Sequence, residues 1–271
     1  MPKLNWDGND FRNPQDSSGT VADMISRNGS LQQGYFHGSL TEGLVAYYPF
    51  EAGTGSTVTD EALGNDGSIN GASWVSGAIG DYSLSFDGGS DYVGVDSLGD
   101  TDVEPPFTLS AWFNSNVDET EARSELIQTQ SKKWHIRIED RGDGGFGSPG
   151  NTFNPGLGLH IQNSADDLWY VVSFPTPTDT WHHVTAVFDG QDMKIFLDGV
   201  LQDSYSFGSQ ITIKNDNLST TSFGARPDGT NPWDGEIDDV RIYDRKLSTP
   251  EIKALYNLTA PSKVSPDDTL Q

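Results

Sequence analysis

Residues 181–202, WHHVTAVFDGQDMKIFLDGVLQ, and residues 233–256, WDGEIDDVRIYDRKLSTPEIKALY, decide how this chain folds. In the first, HVTAVFDG and MKIFLDGV are two apolar-rich runs joined by a turn around Gly190. Short runs of this kind, bounded by Gly and Asp, read as paired strands. In the second, EIDDVRIY alternates: Glu236, Asp238, Val240 and Ile242 fall on one face, and Ile237, Asp239, Arg241 and Tyr243 on the other. Ser248 and Glu251 then frame Thr249 and Pro250 as a capping box. Ile252, Leu255 and Tyr256 supply a one-sided apolar stripe, so a short helix closes the segment.

Outward from these runs, the same pattern repeats. GLVAYYPFE (43–51), SLSFDGGSDYVGV (83–95), FTLSAWF (107–113), SELIQTQ (124–130), WHIRIED (134–140), LGLHIQ (157–162), LWYVVSF (168–174) and ITIKN (211–215) are short and separated by Asp, Gly, Asn or Pro clusters. No strand–helix alternation and no internal repeat interrupts them, which predicts an all-β sandwich. Residues 1–40 are polar throughout, with only a short helical patch at 20–26, and read as an extended arm, either a segment that docks on a partner or a disordered leader. The domain is expected over 41–257, followed by a polar tail over 258–271.

Charge narrows the function. The 271 residues carry 40 acidic against 16 basic side chains, a net charge of −24, with Asp outnumbering Glu 30 to 10. The acid is spread along the chain rather than gathered in a tail, so it belongs to a folded surface. Such a surface repels itself in dilute buffer and is relieved by molar salt, where the Debye length is roughly 3 Å. A halophilic source is the expectation. Nucleic-acid binding is excluded by the lack of a basic stripe. There are no cysteines, so disulfides, thiolate nucleophiles and Cys-based zinc sites are ruled out. No run of about 18 apolar residues predicts membrane insertion, and MPKLNWDGNDFRNP has no apolar segment of the secretory type.

Five stretches in one order carry a resemblance: GLVAYYPFE at 43–51, GNDGSINGASWVSGAIGDYSLSFDG at 64–88, FTLSAWF at 107–113, WHHVTAVFDG at 181–190 and GEIDDVRIYDRKLSTPEI at 235–252. Over about residues 43–256 the chain resembles the laminin-G-like, or concanavalin-A-like, jelly-roll family. The resemblance implies two packed antiparallel sheets with one short C-terminal helix. It implies binding or adhesion more often than catalysis, since function is carried by sites grafted on a fold.

The candidate sites follow. Asp238, in line with Val240 and Ile242, is a carboxylate among core residues and needs a partner. The resemblance suggests a structural calcium ion there, with Asp238 and Glu51 as ligands; Asp60, Asn65 and carbonyls of the DEALGNDG loop would complete a cage of 6–8 oxygens. The alternative is that Asp238 accepts hydrogen bonds from loop amides. His182 and His183 belong to the family motif at a strand start and are read as structural; His135 and His160 are lone histidines on strands, without zinc spacing. A glycosidase needs two carboxylates about the scissile bond. The nearest pattern, Glu236 and Asp238, has Val240 and Arg241 where a third acid would stand. No G-x-S-x-G elbow and no phosphate loop is present. Among Trp74, Trp134, Trp169 and Trp233, any exposed ring would stack on sugars. Arg226, Asp228 and Trp233 share the turn-rich loop GARPDGTNPWDG (224–235) and form the expected ligand-binding set. Asn28, Asn217 and Asn257 begin N-x-S/T sequons.

These readings combine into one expectation: a non-enzymatic recognition module on the virion surface of a virus infecting a halophilic archaeon. It would be a head decoration, turret or tail-associated protein, homo-oligomeric, docked on neighbouring structural proteins through residues 1–40, and facing host glycans or glycoproteins. The alternative is a secreted or cell-surface polysaccharide-binding domain of a halophile. A glycoside hydrolase is the third reading.

Overall fold

The structure is a computed structural model that describes residues 40–96, 98, 104–116, 123–129, 134–139, 156–165, 169–214 and 220–259. Residues 1–39 of the expected 1–40 arm, residues 260–271 of the expected 258–271 tail and the sequons at Asn28 and Asn217 lie outside the described residues, as does the side chain of Trp169.

Sixteen strands among these residues pair into two antiparallel sheets. The first sheet is ordered β14 (Val200–Ser206), β13 (Asp192–Leu197), β12 (His182–Phe188), β7 (Phe107–Ser115), β16 (Asp234–Tyr243), β5 (Tyr82–Asp87) and β4 (Ser73–Ser76), with β1 (Leu44–Tyr48) also on β16. The second runs β11 (Trp169–Phe174), β10 (Gly156–Gln162), β9 (Trp134–Glu139), β8 (Ser124–Thr129), β15 (Thr221–Phe223), β6 (Tyr92–Val95), β3 (Gly67–Asn70) and β2 (Thr57–Val58). Period-2 alternation puts Leu109, Ala111, Phe113, Val184, Ala186 and Phe188 of the first sheet against Trp134, Ile136, Ile138, Leu157, Leu159 and Ile161 of the second, in one continuous buried core. This is the two-sheet sandwich that the spacing of short runs predicts.

A helix, α1 (Thr249–Thr259), lies outside the first sheet. Its N-terminus is framed as the sequence implies: Ser248 N–H and Oγ both donate to Glu251 Oε2, at 2.8 and 2.7 Å. Ile252 and Leu255 pack with Leu40, Val187, Phe196, Tyr243 and Leu247 in a second apolar cluster. The helix runs two residues beyond the expected domain end. Thr259 is buried, donates to Leu255 O and accepts from Trp112 Nε1 at 2.9 Å, which ties the last turn to β7.

The strands differ from expectation in two ways. The short strands β2, β3, β4 and β15 and the edge strand β14 are additional to the expected runs; β14 lies half in water and has no apolar alternation to betray it, with Val200, Leu201 and Gln202 exposed. ITIKN contributes only one isolated bridge, Asn163 to Ile213.

The strict alternation read along EIDDVRIY also fails, for a local reason. The register of β16 against β7 shifts between Asp238 and Arg241, and Asp239 adopts φ 48°. Asp239 and Val240 together face one residue of β7, a β-bulge that reverses the parity of side chains. Asp238 pairs with Trp112 and Ile237 with core Phe113. Asp238 is therefore on the outer face, not in line with Val240 and Ile242.

Candidate functional site

The outer face of the second sheet is polar and yet withdrawn from water. On β9 the core residues Trp134, Ile136 and Ile138 alternate with His135, Arg137 and Glu139; on β10, Leu157, Leu159 and Ile161 alternate with Gly156, Gly158 and His160. In register, Gln128 faces His135 and Glu125 faces Arg137 across β8 and β9, while His160 faces His135 across β9 and β10. Glu125, His135, Arg137, Glu139 and His160 are all at most 3 % exposed.

Glu125 is the hub. Its carboxylate lies 3.1 Å from His135 Nδ1, 3.1 Å from Asn231 Nδ2, 3.3 Å from Arg226 Nε and 3.7 Å from Arg137 Nη1. Burial pushes the carboxyl up, but His135, Arg137 and Asn231 outweigh it and hold the group at about 2. Burial lowers the His135 pKa and the neighbouring Glu125 carboxylate opposes that shift. Arg137 reaches on to Glu139 at 2.6 Å, and Glu139 also takes Arg123. The chain of charges thus runs Arg226, Glu125, Arg137, Glu139, Arg123, and its two ends, Arg226 and Arg123, are about a quarter exposed. His160 stands beside it, fully buried, with both ring nitrogens lacking a hydrogen-bond partner among the described residues and its pKa lowered well below the usual value by burial.

The 224–235 loop is fastened over this lattice. Trp233 N–H donates to Gly224 O at 2.6 Å, closing the loop base, and Glu125 N–H donates to Asn231 O at 2.9 Å. Arg226 N–H donates to Thr230 O and Gly229 N–H to Arg226 O, so residues 226–230 form a tight turn. Asp228 Oδ1 accepts from Thr230 N–H and Oγ at 3.0 and 2.6 Å, which lowers its pKa. Trp233, expected at the ligand, is instead fully buried, with its ring edge-on to Phe113 at 6.0 Å. It anchors the loop in the core and is removed from the binding set: the indole lies on the sandwich side of the strand that follows. Trp134 is likewise core, and Trp74 is half-buried, donating to Gly55 O.

A known family matches this chain over residues 87–253, more than half of its length: the concanavalin A-like lectin/glucanases superfamily. The chain belongs to that superfamily. Solved structures share the fold at low identity. Domain 4 of AbnA, a GH43 extracellular arabinanase from Geobacillus stearothermophilus in complex with arabinotriose, is 18% identical with a TM-score of 0.58, covering 79% of this chain and 98% of that one. The receptor binding domain of botulinum neurotoxin C/D mosaic serotype is 16% identical, TM-score 0.59, covering 80% and 51%. The serotype D ligand binding domain in complex with N-acetylneuraminic acid is 14% identical, TM-score 0.60, covering 82% and 52%. The chain thus spans about half the length of these neurotoxin domains.

Within this concanavalin A-like domain, the four expected calcium ligands divide between two loops. Asp60 is buried and saturated: Oδ1 accepts from Tyr47 and Ala62 N–H, Oδ2 from Leu63 and Asn65 N–H, at 2.8–3.2 Å. Asn65 contributes its amide to that carboxylate and its carbonyl to Tyr48 Oη–H. This half of the set organises the 60–66 loop and does not fit a metal cage. Glu51 and Asp238 instead hold the turn between β4 and β5. Asp238 Oδ2 accepts from Ala78 and Ile79 N–H at 3.0 Å each, and Glu51 Oε2 from Asp81 N–H at 2.9 Å. Between them lies Gly80, where a Cβ would fall 2.0 Å from the Glu51 carboxylate. Among the described residues no group of three or more His, Asp or Glu is disposed to hold a metal ion. Asp238 Oδ1 is nonetheless buried without a hydrogen-bond donor, and burial pushes its carboxyl up to about 8.

Of the histidine pair, His183 is sealed and His182 is partly exposed. His182 bridges Thr180 and Asp198, while His183 is buried with Nε2 2.8 Å from Ser110 Oγ. Burial lowers His183 to about 3, and Trp112 and Tyr256 cover it. A Ser–His contact exists, but α1 closes it from substrate.

The structure brings Arg226 of the expected binding loop onto Glu125, and it adds Glu125, Arg137, Glu139 and Asn231, which sequence reading did not single out. For Arg137 and Glu139 the signal was the polar half of WHIRIED, which reads as an ordinary solvated strand face until a tertiary structure shows it buried.

Proposed function

We propose a non-enzymatic recognition module that binds glycans or glycoproteins through the loop 226–231 and the polar face beneath it. The observation that carries this is the buried ion lattice centred on Glu125, which fastens one partly exposed polar loop rigidly. Burying ionised groups is costly unless every one is paired. A preorganised set of donors and acceptors is what recognition of sugar hydroxyls requires, because it avoids ordering costs on binding. Superfamily membership and two solved neighbours in complex with arabinotriose and N-acetylneuraminic acid support the reading. No catalytic role is assigned: Glu236 and Asp238 share the outer face of β16, and the third acid beside them, Asp239, is buried and held by Arg241 at 3.0 Å.

The finer reading places the module on a surface bathed in strong salt, in the first instance a virion of a halophile, as a homo-oligomer docked through residues 1–40. A net charge of −24 supports the salt. A secreted polysaccharide-binding domain shares the same chemistry. Calcium enters as a structural ion on Asp238 with Glu51, supported by the donorless Oδ1. Its ionic charge would return the carboxyl to its ionised form. A melting temperature that rises with calcium in the wild type and not in Asp238→Asn is expected; an unmoved wild type removes the ion.

The test is a glycan array, and retention on halophile cell envelopes, with the full chain in molar salt. Saturable binding lost on deglycosylating the envelope is expected. A folded protein that retains no glycan would sink the proposal.

A further inference from the structure

The 226–230 turn has two polar groups left over after its own hydrogen bonds are counted, and they are complementary. Arg226 uses Nε on Glu125 and its backbone groups on Thr230 and Gly229; among the described residues no protein group takes Nη1 or Nη2. Asp228 uses Oδ1 on Thr230 twice, and among the described residues no other residue donates to Oδ2. A guanidinium with its Nη edge open is a planar fork matched to a carboxylate. An ionised carboxylate oxygen is an acceptor for a hydroxyl.

Arg226 is also aimed. Glu125 stays ionised across all ordinary pH and is itself fixed by Arg137, His135 and Asn231. Asn231 holds a left-handed φ of 54°, and the loop base is closed by Trp233, whose side chain is in the core. The groups behind the guanidinium are hydrogen-bonded to one another and buried, so less rotamer freedom remains to be lost when a ligand arrives. The chain has 40 acidic and 16 basic residues. A quarter-exposed arginine on such a surface, held by a buried carboxylate and with its Nη edge open among the described residues, is a local exception in sign.

Resting on the glycan reading, we infer that the 226–230 turn is a subsite for an acidic sugar. Arg226 Nη1 and Nη2 receive the carboxylate of a uronic-acid-type residue, and Asp228 Oδ2 receives a hydroxyl of the same ring. Glu125 is a positioning residue that never touches ligand. The protein's overall negative charge opposes the approach of an acidic polymer at low ionic strength and is screened in strong salt, so binding is read in molar salt.

The probes are polygalacturonate and its carboxyl-reduced counterpart, tested by calorimetry on the full chain. Wild type is expected to bind the acidic polymer at least about tenfold more tightly than the reduced one, the scale of one charge-assisted contact. Arg226→Gln is expected to bind both polymers alike, at the reduced-polymer level. Arg226→Lys, which keeps the charge on Glu125 but loses the fork, should fall between, and serves if Arg226→Gln melts early. Equal binding of the two polymers by wild type overturns the acidic subsite while leaving glycan recognition intact. So does discrimination that survives Arg226→Gln. Binding of neither polymer, together with an array on which no glycan is retained, overturns both.

Discussion

Replacing Glu125 by Gln tests the lattice on which the site stands. The side chain is fully buried and faces two guanidiniums, one imidazole and one amide. Glutamine keeps the shape but removes the charge and places an NH2 against donors. Breaking a buried ion pair from one side costs about 3–5 kcal/mol, and proton linkage gives a similar size. The carboxyl is held at about 2 against an ordinary 4.5, and each pKa unit is about 1.4 kcal/mol, so the ionised form contributes about 3 kcal/mol. The expected fall in melting temperature is roughly 6–20 °C for a domain of this size. Because the folded pKa is depressed, this stability is fully present above pH 4.5 and is lost as pH falls toward 2. The gap between wild type and Glu125→Gln should therefore be constant near neutrality and narrow through that window. The assay is a set of thermal melts by circular dichroism at fixed molar salt. A variant melting within about 2 °C of wild type near neutrality would refute the claim that Glu125 organises the face.

Trp233→Ala should cost about 3–5 kcal/mol through a core cavity; a variant with normal melting but no glycan binding would restore Trp233 to the ligand site. In a chelating buffer, wild-type stability should decline as pH rises from about 4 to about 8, because the folded Asp238 carboxyl is raised to about 8. Asp238→Asn should flatten that decline, and an unchanged profile would show the carboxylate to be solvated. The melting temperature should climb between about 0.1 M and about 1 M NaCl as self-repulsion is screened; indifference to salt would detach the net charge of −24 from a halophilic setting.

The sandwich was legible because its cause is local. Alternation in FTLSAWF, WHIRIED and HVTAVFDG places every second side chain on one face, and a core must form where those faces meet. The helix was legible for the same reason, since Ser248, Glu251, Ile252 and Leu255 all lie within one stretch of eight residues. The loop 224–235 was marked by its turn residues, and Arg226 and Asp228 with it. What sequence by itself did not determine was which polar residues leave water. His135, Arg137 and Glu139 alternate like any solvated strand face, and only the arrival of Arg226 and Asn231, about a hundred residues away from Glu125, makes them a lattice. Asp238 was misplaced because a single extra residue at the bulge reverses the parity on which the reading relied. Trp233 was misplaced because residue type reports an aromatic and not which side of the strand it takes. Period and capping are properties of neighbours in sequence, whereas burial and charge pairing are decided by chains that meet only in the folded sandwich.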